Sequence, residues 1–530
     1  MKTMKTWMLI ASTLLLSTLL VPTVQGAGYI DSGYFHSTLF GGSGDDRIRD
    51  VLLDSQGNII VTGGTFSEDL PVLNAVQPNY GGGVLPAGEY FHSMGDAFVA
   101  KFSPEYELLW STFLGGSGFE LALHVKVDAY DNVMVFGRTT SDDFPWTFDS
   151  TPTGREEGDP FVTFYTPDGE LIGSRLYHPE EINRIEHVDL DSQGNIVMAG
   201  VTSSTTMYCT EDAFQNELSG ESDGFVRVVT PDFETILFST YIGGNGDEYV
   251  GEVALGQDDS IYVSSSTGSD DLPVTENVIR SQMNDEESDN FIAKISQSRE
   301  LVTMTYIGGS DVDHVFGLCE GPRNAITFVG RTWSADYPVT ENAYQHEYGN
   351  EVDGYLTTIN TEGTEVLYST FFGGGEWDSL LQVNADERGK IITTGFVHSG
   401  DFETVNAFQT EYKGASEIMV TVWGEEIELN SYLGGYGSEH PFAQIFVDGT
   451  MHLVGSTDSS GFEVSEDAYQ TTLEGGLDGY IWVMDYEGYL ESGVSIEPSG
   501  PDYREPISYG VVLGVIAVWV IYMRKSFGGS

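Results

Sequence analysis

Positive charge is what this chain has least of. Lys and Arg together number 22 against 82 Asp and Glu, a formal charge of −60 at pH 7. Such a surface repels phosphate backbones and anionic headgroups and attracts cations and basic partners, so nucleic acid is excluded as a ligand. The same acidity keeps a protein soluble in a saline exterior. Cysteine is almost missing: Cys209 and Cys319 lie too far apart in sequence for a CxxC or zinc spacing. Nothing in the pattern argues for a disulfide between them, and the fold must be held by its core. Helical apolar spacing is absent from the body of the chain. So are the enzyme signatures: no GxSxG elbow, HExxH, P-loop, dinucleotide fingerprint or EF-hand loop occurs. No Asn-x-Ser/Thr site for N-glycosylation occurs either.

What is present is glycine (64), tyrosine (28) and phenylalanine (29), within a hydrophobic fraction of 40%. That balance suits many short strands joined by tight turns. The two ends are different in kind. Lys2 and Lys5 precede a short apolar run from Met8 to Val21, and Val24 and Gly26 supply small residues for cleavage. Residues 1–26 therefore read as a signal peptide. Ile507 to Met523 carries no charge and is followed at once by Arg524 and Lys525. Its length is at the lower edge of what crosses a bilayer as a helix, and the basic pair is a positive-inside stop. Residues 507–523 are expected to be one transmembrane helix after a short stalk, 491–506, with 524–530 a cytoplasmic tail. This puts the protein in the cell membrane, single-pass, with its large domain outside.

Between these ends one phrase returns. It reads STLFGGSGDD from Ser37, STFLGGSGFE from Ser111, STYIGGNGDE from Ser239, MTYIGGSDVD from Met304, STFFGGGEWD from Ser369 and NSYLGGYGSE from Asn430. A degenerate copy, SRLYHPEEIN from Ser174, fills the gap. The starts are roughly 60 to 75 residues apart, a length proper to propeller and solenoid repeats. Two other phrases keep step. One is the turn DSQGN at Asp54 and Asp191, echoed by DAYDN at Asp128. The other is an acid before an aromatic or apolar residue, at Asp96, Asp159, Asp223, Asp289, Asp353, Glu417 and Asp478.

Each unit resolves into four strands; in the first these are Arg49 to Leu53, Ile59 to Thr62, Phe98 to Phe102 and Leu108 to Leu114. The last unit stops near Leu490 without its STYxGG strand, while the first such strand, at Ser37, has no unit of its own. Docking Ser37 to Phe40 onto the last unit closes a ring and leaves only protected edges. The fold class is thus all-β: a seven-bladed β-propeller of four-stranded blades over residues 34–490. The combined phrases resemble the SBBP β-propeller repeat family over roughly Ser37 to Leu490. The resemblance implies a cell-surface or secreted protein of bacteria or archaea and supplies no catalytic residues.

With the first strand of each unit innermost, the DSQGN and Pro104-type turns fall on one face of the disc. The GGSGDD loops and the long loops, such as Phe66 to Gly95, fall on the other, which becomes the candidate binding face. There each inner strand opens on an acid: Asp46, Glu120, Glu248, Asp313, Asp378 and Glu439, with Asn183 in blade three. Two readings stand for this circle. Hard cations, calcium above all, want several oxygen ligands. Alternatively each acid ties down its own Gly-rich loop, which recurrence in nearly every blade favours. The third-strand acids take the same reading.

Departures from symmetry are better guides to function. One step deeper on the inner strands come Asp50, His124, His187 and Glu252 in blades one to four, a carboxylate–imidazole set suited to ligand binding, acid–base work or a metal. Gly317, Gln382 and Ala443 complete that level. The first long loop is extended through Glu89, Tyr90, Phe91 and His92. In blade two, Tyr177-His178-Pro179-Glu180-Glu181 replaces Gly-Gly. Both can face a sugar or pack a longer loop. The expected function is that of a membrane-anchored cell-surface module for binding, adhesion or surface structure. Its ligand would be an extracellular glycan, cell-wall component or protein held on the long-loop face. The alternative is an extracellular propeller enzyme acting on polysaccharide.

Overall fold

The computed structural model describes residues 33–492, apart from 84–94, 149–151, 155–157, 178–180, 284–288, 322–324, 350 and 387. The chain divides into Met1–Ile496 and Glu497–Ser530; the second unit lies outside the described residues. So do the expected signal peptide, the expected span at 507–523 and the Glu89–His92 stretch. Among the described residues no helix is long and apolar enough to cross a membrane.

Among the described residues, twenty-eight strands form seven antiparallel four-stranded sheets. Blade one is β2 (Asp46–Leu53), β3 (Ile59–Thr65), β4 (Asp96–Phe102) and β5 (Leu108–Leu114). The other blades open on β6 (Glu120–Val127), β10 (Arg184–Leu190), β14 (Glu248–Leu255), β18 (Asp313–Glu320), β22 (Asp378–Ala385) and β26 (Glu439–Val447). Each of these seven opening strands contacts the next round the full circle. They are the inner wall of the disc.

The ring closes as the repeat count requires. β1 (Phe35–Phe40) completes blade seven by pairing antiparallel with β28 (Asp478–Asp485), Phe35 opposite Met484 and Phe40 opposite Gly479. Further bonds fasten it, among them Ser37 N–H donating to Ser465 Oγ at 2.9 Å and Gly41 N–H to Gln470 Oε1 at 2.9 Å. All six residues of β1 are buried, because β1 is sandwiched within the closed ring although it is an outer strand in its own sheet. The core lies between blades. Ile60, Ala97 and Val99 of blade one, for instance, pack on Val125, Val133, Val135 and Phe161 of blade two.

Two differences from the sequence reading matter for the site. The inner strands begin at their acids, three residues before the expected start at Arg49, because a β-bulge interrupts the alternation. In β2 the pairing register shifts between Ile48 and Asp50, so both Arg49 and Asp50 face the channel side, mostly but not wholly covered. The same shift occurs at the same place in all seven inner strands. A period-two search sees the pattern break and starts the strand after it. The second difference is a short helix, α1 (Tyr486–Ser492), after β28. Asp485 caps it, its Oδ1 accepting from Gly488 N–H at 2.9 Å, and Tyr486 and Tyr489 bury one face. Seven residues, about two turns, are too few for helical periodicity to register.

Candidate functional site

The six acids that open the inner strands are buried and bound to their own loops. Asp46 accepts from Gly42 N–H and from Ser67 Oγ, both at 2.7 Å. Glu120 accepts from Gly116 N–H at 3.0 Å and Thr139 Oγ1 at 2.6 Å, and Glu248 from Gly244 N–H at 2.9 Å and Thr267 Oγ1 at 2.6 Å. Gly309 N–H reaches Asp313 at 2.6 Å, Gly374 N–H reaches Asp378 at 2.7 Å, and Thr457 Oγ1 reaches Glu439 at 3.0 Å. Asn183 does the corresponding work in blade three through Ser203 N–H. The loop-anchoring reading accounts for these bonds. Among the described residues no three His, Cys, Asp or Glu side chains converge as a metal site.

The structure brings the two acid series together across blade boundaries, which the sequence reading did not foresee. The third-strand acid of one blade faces the first-strand acid of the next. A β-carbon added at Gly41 would lie 2.8 Å from both Asp46 Oδ2 and Asp478 Cγ; at Gly115 it would meet Glu120 Oε2 at 2.5 Å and Asp96 Cγ at 2.7 Å. The first glycine of the repeated Gly-Gly is thus the spacer between two carboxyl groups. Burial, with the facing acid adding to it, pushes Asp46 and Asp313 up to about 6 and Asp96, Asp353 and Glu417 up to about 7. Glu439 also rises to about 7, chiefly by burial.

In five of the pairs a glutamine joins the acids to their loop, and Arg280 takes that place beside Asp289. Gln77 Nε2 donates to Asp96 at 3.1 Å while its Oε1 accepts from Gly115 N–H at 3.1 Å. Gln215, Gln345, Gln409 and Gln470 repeat the bridge. The signal for them was available: each ends an Ala-(Val, Phe or Tyr)-Gln phrase, as at Ala75-Val76-Gln77 and Ala468-Tyr469-Gln470.

Below this layer, the bulges set Asp50, His124, His187 and Glu252 side by side. His124 Nε2 donates to the Glu186 carbonyl of the next blade at 2.6 Å, which turns Nδ1 toward Asp50 at 3.7 Å. His187 Nδ1 is 2.9 Å from Glu252, and the two imidazole centroids are 5.0 Å apart. Asp50 also accepts from Val125 N–H at 2.9 Å. Burial opposes ionisation of Asp50, but His124 and Lys126 outweigh it and hold its carboxyl below the usual value. Burial likewise pulls His187 down, and Glu252 overrides it and raises it. The four side chains remain 15 to 22% exposed, so this is a wet run of two imidazole–carboxylate pairs. Lys126 and Asp189, 3.6 Å apart, continue it one step deeper. At the same level Gln382 donates to the Phe442 carbonyl at 3.1 Å, the counterpart of the His124 bond.

Above it, at the long-loop end of the inner wall, lies a rim that the sequence reading missed. Five of the 22 basic residues gather there: Arg47, Arg49, Arg138, Arg184 and Arg331. Arg138 and Arg331 occupy the same place in the second strands of blades two and five, opposite Leu121 and His314. Arg49 lies 4.1 Å over the ring of Phe442, the bulge residue of blade seven. Burial, with Arg47 and Arg138 beside it, lowers Arg49 to about 9. His440 is held down chiefly by burial, with Arg47, His398 and Arg49 adding to it and Asp458 opposing. Arg184 pairs with Glu186 at 2.8 Å and lies 4.9 Å over Tyr249. Basic residues are so scarce that their shared columns in the repeat were themselves a signal.

The irregular loop of blade two is part of the packing. Tyr177 is buried against Phe233, and Glu181 pairs at 2.9 Å with the fully buried Arg227. His178, Pro179 and Glu180 lie outside the described residues. Both cysteines are free thiols.

No family model and no curated protein matches this chain. Solved structures with a distant likeness include the polysaccharide lyase Uly1, at 9% identity and TM-score 0.42 over 88% of this chain and 94% of that one. A Dyadobacter fermentans protein of unknown function has 8% identity and TM-score 0.36 over 85% and 98%. The Pyrococcus horikoshii acylaminoacyl peptidase has 9% and 0.37 over 77% and 48%. At likeness this low, none of those activities transfers to the chain.

Proposed function

We propose that this chain is an exported, membrane-anchored surface protein of the SBBP kind. Its propeller binds an extracellular glycan, cell-wall or protein ligand at the long-loop mouth of the channel. The signal-like residues 1–26 and the apolar 507–523 stretch before Arg524 and Lys525 support the location. The observation that carries the binding reading is the rim: in a chain of net charge −60, arginine and aromatic side chains collect at the long-loop end of the inner wall. Convergent polar groups among aromatics are what binding clefts are made of. The test is a glycan and cell-wall screen of the ectodomain, residues 27–499, with and without chelator. Binding that is lost when Arg47, Arg49 and Arg138 are replaced together by Gln supports the reading; binding indifferent to that change overturns it. The chelator arm tests calcium at Asp46, Glu120, Glu248, Asp313, Asp378 and Glu439. Unchanged binding and unchanged thermal stability assign those acids wholly to loop anchoring.

A second reading, an enzyme acting on extracellular polysaccharide, is favoured by the two imidazole–carboxylate pairs, His124 with Asp50 and His187 with Glu252. A His raised by its carboxylate can serve as a general acid near neutral pH. The double variant His124→Ala, His187→Ala separates the readings. Loss of activity on a polysaccharide panel, with ligand affinity retained, supports the enzyme; no activity in the unmodified protein removes it.

A further inference from the structure

On the blade-five side of the rim, Arg331 stands in a cage of rings. Its guanidinium carbon is 5.1 Å from the centroid of Phe316, 5.0 Å from Trp333 and 5.2 Å from Trp377. These come from a bulge, a strand end and a loop on two different blades. Trp377 in turn stacks on His398, centroids 5.4 Å apart and planes at 30°. His314, opposite Arg331 in the pairing register, is kept neutral at about 4 by burial and by Arg331 itself. The cage is therefore a single positive charge among aromatic faces.

Two other wholly or partly buried arginines, Arg227 and Arg280, are held by acids, whereas Arg49 on the rim shares with Arg331 a buried Nε that has no partner. Arg227 has Glu181 at 2.9 Å and Ser239 Oγ at 3.1 Å. Arg280 has Asp289 at 3.5 Å and the Gly308 carbonyl at 2.5 Å. Among the described residues Arg331 has no carboxylate within ion-pair distance, no side-chain hydrogen bond, and a buried Nε without a partner. Burial alone moves its ionisation, downward, with no acid opposing it. Acids outnumber bases almost fourfold here, so an arginine without one is an arrangement the fold maintains. The blade does not need it: the matching positions are Gly64, Arg138, Val201, Ser266, Phe396 and Ser456. Ring faces offset part of a guanidinium's desolvation but use none of its N–H donors. The indole N–H groups of Trp333 and Trp377 likewise have no hydrogen-bond partner among the described residues.

We propose that Arg331, Phe316, Trp333 and Trp377 form a subsite for an anionic sugar residue of an extracellular polysaccharide. The proposal rests on the binding reading of the mouth and names its ligand class. A guanidinium presents paired N–H donors that match a carboxylate or a sulfate ester. The indole N–H edges reach the hydroxyls of the sugar ring. A carboxylate on an open, solvated surface would gain little from Arg in an acidic protein. Here the surrounding rings exclude water and strengthen the contact. Arg49 on Phe442 repeats the Arg–aromatic pairing on the far side of blade seven.

The experiment is calorimetric titration of the ectodomain with four probes: oligogalacturonate, its methyl ester, a sulfated galactan oligosaccharide and polyglutamate. We expect oligogalacturonate or the sulfated oligosaccharide to bind, the methyl ester to bind weakly, and Arg331→Gln to weaken the anionic probe roughly ten- to a hundredfold. Arg331→Lys should recover part of that loss, and Trp377→Ala should weaken both the anionic and the esterified sugar. Which anionic arm binds identifies carboxylate or sulfate. Equal affinity for the acid and its ester, unchanged affinity in R331Q, or a preference for polyglutamate overturns the subsite. An anionic sugar that ignores R331Q but is lost on Arg47, Arg49 and Arg138 replacement refutes the subsite and leaves the mouth reading standing. No binding of any probe, with the ectodomain also blank in the wider screen, refutes both. Melting temperatures of each variant within a degree or so of the parent keep the comparison about binding.

Discussion

At Gly41 a hydrogen atom stands where any other residue would place a carbon between Asp46 and Asp478. The neighbouring Gly42 gives its N–H to Asp46 and has its own limit, since a β-carbon there would lie 2.8 Å from Ser67 Cβ. We expect Gly41→Ala to cost about 1–3 kcal/mol, the usual penalty of overpacking a closed site, read as a lower urea midpoint at unchanged slope. Asp478→Ala in the same chain should relieve part of it, because the second mutation removes one of the two walls. These residues show what was legible and what was not. The acids, the Gly-Gly and the Gln phrases all recur in most of the blades, so their shared structural role could be read directly. Their pairing could not, because Asp46 and Asp478 meet only when the ring closes. Asp50, His124, His187 and Glu252 were found because repeat alignment puts them in one column, and the structure brings them together in two pairs. Arg331 was missed because its cage draws on Phe316, Trp333 and Trp377, which no single sequence window contains.

Among the elements, β1 and the inner-strand bulges decide most. The bulge lets two successive residues face the channel, and that is how Arg49 can join the rim while Asp50 joins the imidazole run. Closure by β1 was legible because the repeat is out of step at both ends, a whole strand surplus at one and missing at the other. The early start of the inner strands and helix α1 were not, for want of an unbroken period. Removing residues 33–40 should leave β28 with an unpaired edge and expose the partners of Phe35, Leu39 and Phe40. We expect the truncated ectodomain to be cut by protease within blade seven first and to associate in size-exclusion chromatography, since an open edge recruits other strands. A truncated protein as monomeric and protease-resistant as the parent would contradict the role given to β1.

For the molecule as a whole, the acid pairs set a pH dependence of unusual sign. Folding raises Asp46 and Asp313 from 3.8 to about 6, Asp96 and Asp353 from 3.8 to about 7, and Glu417 and Glu439 from 4.5 to about 7. The folded state therefore holds more protons than the unfolded one between about pH 4 and 7, and stability falls as pH rises through that range. The net charge of −60 acts in the same direction, because deprotonation adds to self-repulsion. His187, raised by Glu252, also contributes less once pH passes its folded value. A thermal scan of the ectodomain should give a higher melting temperature near pH 5 than near pH 8, with added salt narrowing the gap. A melting temperature that climbs with pH would show the pairs to be ionised in the folded protein. The partnership of Ser37 with Ser465 has one more consequence, and it concerns time. Among the described residues, the earliest strand to be made must wait for almost the last before it finds its neighbour, so a nascent chain carries a bare edge while all the intervening blades are synthesised. Such a product calls for a holdase or slow, guarded release, and its folding rate should be set by that one late encounter rather than by how fast any blade forms.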